Sequence, residues 1–322
     1  MFRHVTHTGR RVYSTIGSFA SVPVLQDATL PTFRSAAFTP AQPQLLPRGH
    51  FASLPAVNKW FHPDSTLNQA YLAQYSDAYV PLEITTSDGE FVRVTQPLSF
   101  FLGASSGNIQ GASVYLAQAS LTDLPQALSN DVPIPDIVLR AGKGDVYDSS
   151  LWIGQAPTYT PLHRDPNPNL FVQLAGSKRV RLFGPEVGGE IFARVQRIVG
   201  GGGSATMRGE EMMMGDERKV LEEAVWEGQH GVVPQGQGWE CEVHAGDGLF
   251  VPKGWWHSIK GIGEQMTGSV SGRAFYVHSL DLICTGQLVV QVRNRPSHKA
   301  PSACSPRPSP RSLRSWSYGS MA

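Results

Sequence analysis

The chain of 322 residues could hold one large β-barrel domain or two small ones, and its formal net charge of +1 gives no electrostatic case for nucleic acid or membrane as the main partner. Glycine (33) and proline (24) make up roughly 18% of the chain, above the usual ~12% yet below the share that marks disorder, which points to many turns and short strands. Three scattered cysteines, Cys241, Cys284 and Cys304, exclude a disulfide framework and a CxxC metal or redox motif, and no run nears the ~18 apolar residues of a bilayer span, so no membrane is expected.

Residues 1–21 carry Arg3, Arg10 and Arg11, several Ser and Thr, and no acid, the first being Asp27. On a helix, Phe2, Val5, Val12 and Ile16 share one side while Arg3, His7 and Arg10 share another. This composition predicts a mitochondrial presequence. The alternative is a disordered N-terminus without an address, leaving the protein cytoplasmic or nuclear. A fluorescent fusion of residues 1–25 that stays in the cytosol would decide against import.

From Leu30 to about Val146 short strands and short helices alternate across proline joints, among them Pro40, Pro47, Pro55 and Pro81. Ser120-Leu-Thr-Asp predicts a helix start, with Pro133 and Pro135 ending it. Then come three β-prone runs: Leu151-Trp-Ile, Asn169 to Leu174, and Lys178 to Phe183. The turn Ala175-Gly-Ser between the last two predicts a hairpin, hence antiparallel sheet. Residues 185–240 read as a surface insertion, with Gly200-Gly-Gly-Gly-Ser and only a weak helical stripe at Leu221, Ala224 and Val225. Within it, Met212-Met-Met fills gaps against the parent domain or forms a docking site. Strand and turn chemistry resumes from Cys241 to Ile259. The basic Pro/Ser-rich segment 283–322 predicts a solvated disordered tail, with a nucleic-acid arm as the sharper reading.

Chemistry concentrates at three places. His163-Arg-Asp165 places an imidazole and a carboxylate two residues apart, so on an extended strand both leave one face. Two histidines and one carboxylate leave coordination positions open, as in non-haem Fe(II) oxygenases, and His257 is the candidate third ligand. It ends Gly246-Asp-Gly-Leu-Phe-Val-Pro-Lys-Gly-Trp-Trp-His, a turn, an apolar strand and a second turn. His244 is its rival. Lys178 shares an alternation face with Val180 and Leu182, opposite Arg179, Arg181 and Phe183. If the first face is inward, Lys178 is a buried ammonium that needs an anion; otherwise it is a surface lysine. Asn169, Phe171 and Gln173 form a matching stripe that could bring Asn169 near the metal ligands.

Trp152-Ile-Gly154, Thr160-Pro-Leu-His163-Arg-Asp165, Asn169, Gln173-Leu-Ala-Gly-Ser-Lys178-Arg and Gly246 through His257 resemble the JmjC (cupin-like) oxygenases. Val114-Tyr-Leu-Ala-Gln-Ala-Ser-Leu-Thr-Asp-Leu-Pro, Val80-Pro-Leu-Glu and Pro97-Leu-Ser-Phe-Phe-Leu are similar to the small JmjC-only hydroxylases, so the resemblance covers about residues 22–275. It implies a mainly β protein, a double-stranded β-helix (jelly-roll or cupin barrel) with flanking N-terminal helices, in a domain of residues 22–282. It also implies Fe(II) on His163, Asp165 and His257, with 2-oxoglutarate and O2 as cosubstrates. Lys178 matches the lysine that binds the distal carboxylate, Thr160 a hydroxyl beside it, and Asn169 and Tyr115 positions lining the cosubstrate pocket. After Ser269-Val-Ser271 the chain departs from the family, with Gly272-Arg-Ala in place of bulky aromatics. The activity implied is hydroxylation of a protein side chain. Hydroxylation of a tRNA base, histone demethylation and a non-catalytic cupin-like scaffold are the competing readings.

Overall fold

Thirteen short strands are laid down among the residues that the computed structural model describes, 19–108, 111–142, 146–201 and 214–274. The expected presequence up to residue 18, Met212 and Met213, Cys284, Cys304 and the tail 283–322 lie outside the described residues. In chain order the strands are β1 (Ala20–Ser21), β2 (Gln44–Leu45), β3 (Tyr79–Thr86), β4 (Phe91–Pro97), β5 (Ala112–Ser120), β6 (Val146–Gln155) and β7 (Tyr159–Arg164). They continue as β8 (Asn169–Ala175), β9 (Ser177–Phe183), β10 (Gly238–His244), β11 (Gly248–Val251), β12 (Trp256–Ile262) and β13 (Met266–Ala274).

Two sheets form. The larger runs β2-β11-β8-β13-β6-β5-β3-β4 and the smaller β1-β10-β9-β12-β7. Strands β6 to β13 supply the facing blocks β11-β8-β13-β6 and β10-β9-β12-β7, antiparallel throughout, which is the double-stranded β-helix. β13 runs on through Gly272-Arg-Ala, so the departure from the family's aromatic pattern does not end the strand. Phe19 to Ser21, from the segment read as a leader, are in the fold: β1 pairs parallel to β10 and the Phe19 ring meets Phe183 edge-on.

Alternation decides what each face does. Leu170, Val172 and Leu174 of β8 point outward into a core shared with Phe33, Trp60 and Phe101 of the N-terminal helical region, whereas Phe171 points between the sheets with Val180, Leu182, Leu249 and Val251. Both faces of β8 are therefore buried along its whole length, the polar Asn169 and Gln173 included. The outer face of the smaller sheet is covered by two helices of the segment between β9 and β10, Pro185–Val199 and Gly215–Trp226, through Phe183, Ile191, Phe192, Val195, Leu221 and Val225. No described helix is long and apolar enough to cross a membrane.

Two expectations are corrected. β8 and β9 do not form a hairpin: β8 pairs with β11 and β13, β9 with β10 and β12. The Ala175-Gly-Ser turn is instead a corner that carries the chain from one sheet to the other. Gly176 sits there at φ +62°, and a Cβ on it would stand 2.5 Å from the Met266 carbonyl oxygen, so only glycine fits. Nor does a helix begin at Ser120, which is still paired to Ser150 in the sheet; the helix there is Gln126–Asn130, after Pro125. Sheet pairing overrides the local capping signal.

Candidate metal centre and cosubstrate cavity

His163 and Asp165 project from the end of β7, and just beyond it, into the space between the sheets, with period two as the extended backbone dictates. Directly across the ladder His257 of β12 faces His163. The three offer ligand atoms within 4.8 Å of one another, and all three side chains are buried. His257 Nε2 lies 3.7 Å from Asp165 Oδ2, and the two imidazole centres are 4.2 Å apart. His163 Nδ1 is 2.8 Å from the Pro161 carbonyl and His257 Nδ1 is 3.4 Å from the Trp255 carbonyl. Donation to these carbonyls leaves the Nε2 lone pairs for a cation. His244, the rival, is exposed at the end of β10, with Nδ1 2.7 Å from Ser177 Oγ, and is not in the cluster.

The cavity continues from these donors toward Lys178. Tyr115, Thr160, Asn169 and Lys178 all line it with His163, Asp165 and His257, so the expected metal ligands and cosubstrate residues meet in one place, whereas the rival His244 lies outside it. Lys178 is 3% exposed, on the inward face with Val180 and Leu182. Its ammonium donates to Ser269 Oγ at 2.8 Å and to the Tyr115 hydroxyl at 3.5 Å, and lies 5.6 Å from the Phe171 ring centre. Among the described residues no carboxylate pairs with it. Burial alone pushes its pKa down to about 7. Burial, then the charge of Glu83, raises that of Tyr115.

Asn169 donates to Asp165 Oδ2 at 2.9 Å and to Ser271 Oγ at 3.3 Å, steadying the carboxylate, while its Oδ1 is buried without a partner. The donor set fits a divalent transition metal, and a buried cation without an acid fits an anionic ligand. Ser269 and Ser271 were not singled out for this role from the sequence, although their spacing of two on β13 carried the signal.

Gly154 makes room for Tyr115. The two face each other across β5 and β6, and a Cβ at 154 would stand 2.0 Å from Tyr115 Cδ2. Gly154→Ala is expected to force the ring out of the cavity and lower stability by about 1–3 kcal/mol, the usual range for overpacking. A denaturant melt measures this, and an unchanged midpoint would show that the ring has somewhere else to go.

The sequence profile of the cupin-like domain matches residues 31–279. The chain is 26% identical over 254 residues to Jumonji C domain-containing protein 5 of Drosophila melanogaster, covering 76% of this chain and 58% of that protein. It is 25% identical over 251 residues to lysine-specific demethylase 8 of Xenopus tropicalis, covering 77% and 52%. It is 27% identical over 199 residues to the human bifunctional peptidase and (3S)-lysyl hydroxylase JMJD7, covering 58% and 60%. The chain thus spans little more than half the length of these relatives.

Proposed function

Because the chain belongs to the cupin-like JmjC family, we propose that it is an Fe(II)- and 2-oxoglutarate-dependent oxygenase that hydroxylates a protein side chain. The observation that carries this reading is the shared cavity, lined both by three metal-type donors and by a buried lysine that pairs with no carboxylate among the described residues. His163, Asp165 and His257 would hold the iron. Bound there, Fe(II) supplies the redox chemistry that couples O2 to conversion of 2-oxoglutarate into succinate and CO2, with one oxygen atom inserted into a substrate C–H bond.

The chain's own part is positional. Lys178 holds the far carboxylate of the cosubstrate, aided by the hydroxyls of Tyr115 and Thr160. Asn169 fixes the Asp165 carboxylate, and the apolar walls Phe171, Val180 and Leu249 keep water from the cavity. The names of the human and Xenopus relatives both specify lysine, so a lysyl side chain is the first substrate class to test. The human name supports hydroxylation and the Xenopus name supports demethylation.

Purified protein with Fe(II), 2-oxoglutarate and lysine-containing peptides is expected to release succinate and leave a peptide heavier by one oxygen atom. Loss of a methyl group as formaldehyde from methylated lysine would favour demethylation. Absence of succinate formation in metal-loaded protein would leave the non-catalytic scaffold.

A further inference from the structure

All three metal-type donors belong to two neighbouring segments, β7 with its immediate extension and β12, and the ladder between those strands is irregular where the donors sit. His257 faces His163 and Ile259 faces Thr160, so Ser258 alone stands opposite both Pro161 and Leu162. That is a bulge on β7. Pro161 has no N–H to give to the ladder, and its carbonyl is turned to His163 Nδ1 instead.

A side chain spans the gap. Ser258, fully buried, donates its hydroxyl to the Thr160 carbonyl at 2.9 Å and accepts the indole N–H of Trp226 at 2.8 Å. With a donor and an acceptor both engaged, the hydroxyl has one preferred rotation. Trp226 ends the Gly215–Trp226 helix and is itself held between two cations, Arg181 at 4.6 Å and Lys260 at 5.3 Å from its ring centre. The helical segment outside the smaller sheet is therefore bonded, through one hydroxyl, to the residue next to His257.

We propose that Ser258, fixed by Trp226, is a positioning residue for the His163 and His257 pair. It ties β12 to β7 across the bulge and so sets the mutual orientation of the two imidazoles. This rests on the metal-dependent reading given above. Ser258 points away from the cavity on the alternation of β12, so it touches neither metal nor substrate; its effect runs through the backbone of both strands.

The test uses the whole protein loaded with Co(II), whose visible absorption reports ligand geometry apart from turnover. Wild type is expected to bind Co(II) and His163→Ala to lose it. Ser258→Ala is expected to bind about tenfold more weakly, the low end for residues supporting metal ligands, with displaced bands. Trp226→Phe keeps a ring in the helix packing but removes the N–H, and should displace the bands in the same direction by less. Ser258→Thr restores the hydroxyl and should restore the spectrum. If Ser258→Ala does not fold, Trp226→Phe decides the matter. Spectra and affinities like wild type in the Ser258 and Trp226 variants, with binding lost in His163→Ala, would overturn the positioning role alone. Retained binding in His163→Ala would overturn the metal-dependent reading itself.

Discussion

Alanine at His257 is expected to abolish divalent-metal binding, a loss larger than the ~100-fold upper range seen when only a supporting residue of a metal site is removed. The reason is the donor count. His163, Asp165 and His257 are the three side chains brought together, and two donors left in a buried site cannot hold an ion against water. His163→Ala and Asp165→Ala should behave alike. His244→Ala should bind metal as wild type does, because its ring is exposed and bonded to Ser177. Calorimetric titration with Mn(II) makes the comparison; retained binding in His257→Ala with loss in His244→Ala would transfer the third ligand to His244.

Lys178→Ala is expected to leave metal binding intact and to weaken 2-oxoglutarate by about 2–5 kcal/mol, roughly 30- to several-thousand-fold, the range for truncating one member of a buried charge pair. Lys178→Arg should weaken it too, though less completely: the charge is kept, but a planar guanidinium is longer and more demanding in geometry than an ammonium. Arg179→Ala is the control, as Arg179 faces outward and bonds Glu242. A larger effect at Arg179 than at Lys178 would contradict the observed register.

The same lysine predicts a pH dependence. Burial lowers its pKa from 10.5 to about 7, and a bound carboxylate favours the charged form. Above pH ~7 the ligand must therefore take up a proton with it, so affinity should fall by up to about tenfold per pH unit; below pH ~7 this group adds no slope. Without ligand, the unfolded chain binds the proton more tightly between pH 7 and 10.5, so the lysine's contribution to stability rises with pH across that window. Isotherms at saturating Mn(II) between about pH 6.5 and 8.5 read the binding effect, and a flat profile would mean that Lys178 stays charged in the free protein.

The site was legible because its chemistry follows the strand period. His163 and Asp165 two apart, and Lys178 in step with Val180 and Leu182, place their side chains inward on any sheet that buries that face. The path of the chain was less legible. Ala175-Gly-Ser reads the same whether the chain turns back on its neighbour or crosses to the facing sheet, and only long-range pairing distinguishes the two. The Pro185–Val199 helix escaped notice because Gly188 and Gly189 lower helix propensity at its start. Gly188 is there for packing: a Cβ on it would stand 2.2 Å from the Trp256 ring. Ile191, Phe192 and Val195, with Pro185 at the first turn, carried the signal that could have found it.

The corner at Gly176 also bears on the order of assembly. Because it sends β8 and β9 to opposite sheets, β8 must wait for β11 and β13 and β9 for β10 and β12, just as β7 waits for β12, so pairing is dominated by contacts distant along the chain. Such topologies fold slowly, since loop closure is completed before the contacts that offset it. A nascent chain that has emerged only as far as Val251 carries His163 and Asp165 but no partner strand for β7. Assembly of the three-donor cluster is then a late event of folding, since His257 meets His163 only when β12 pairs with β7.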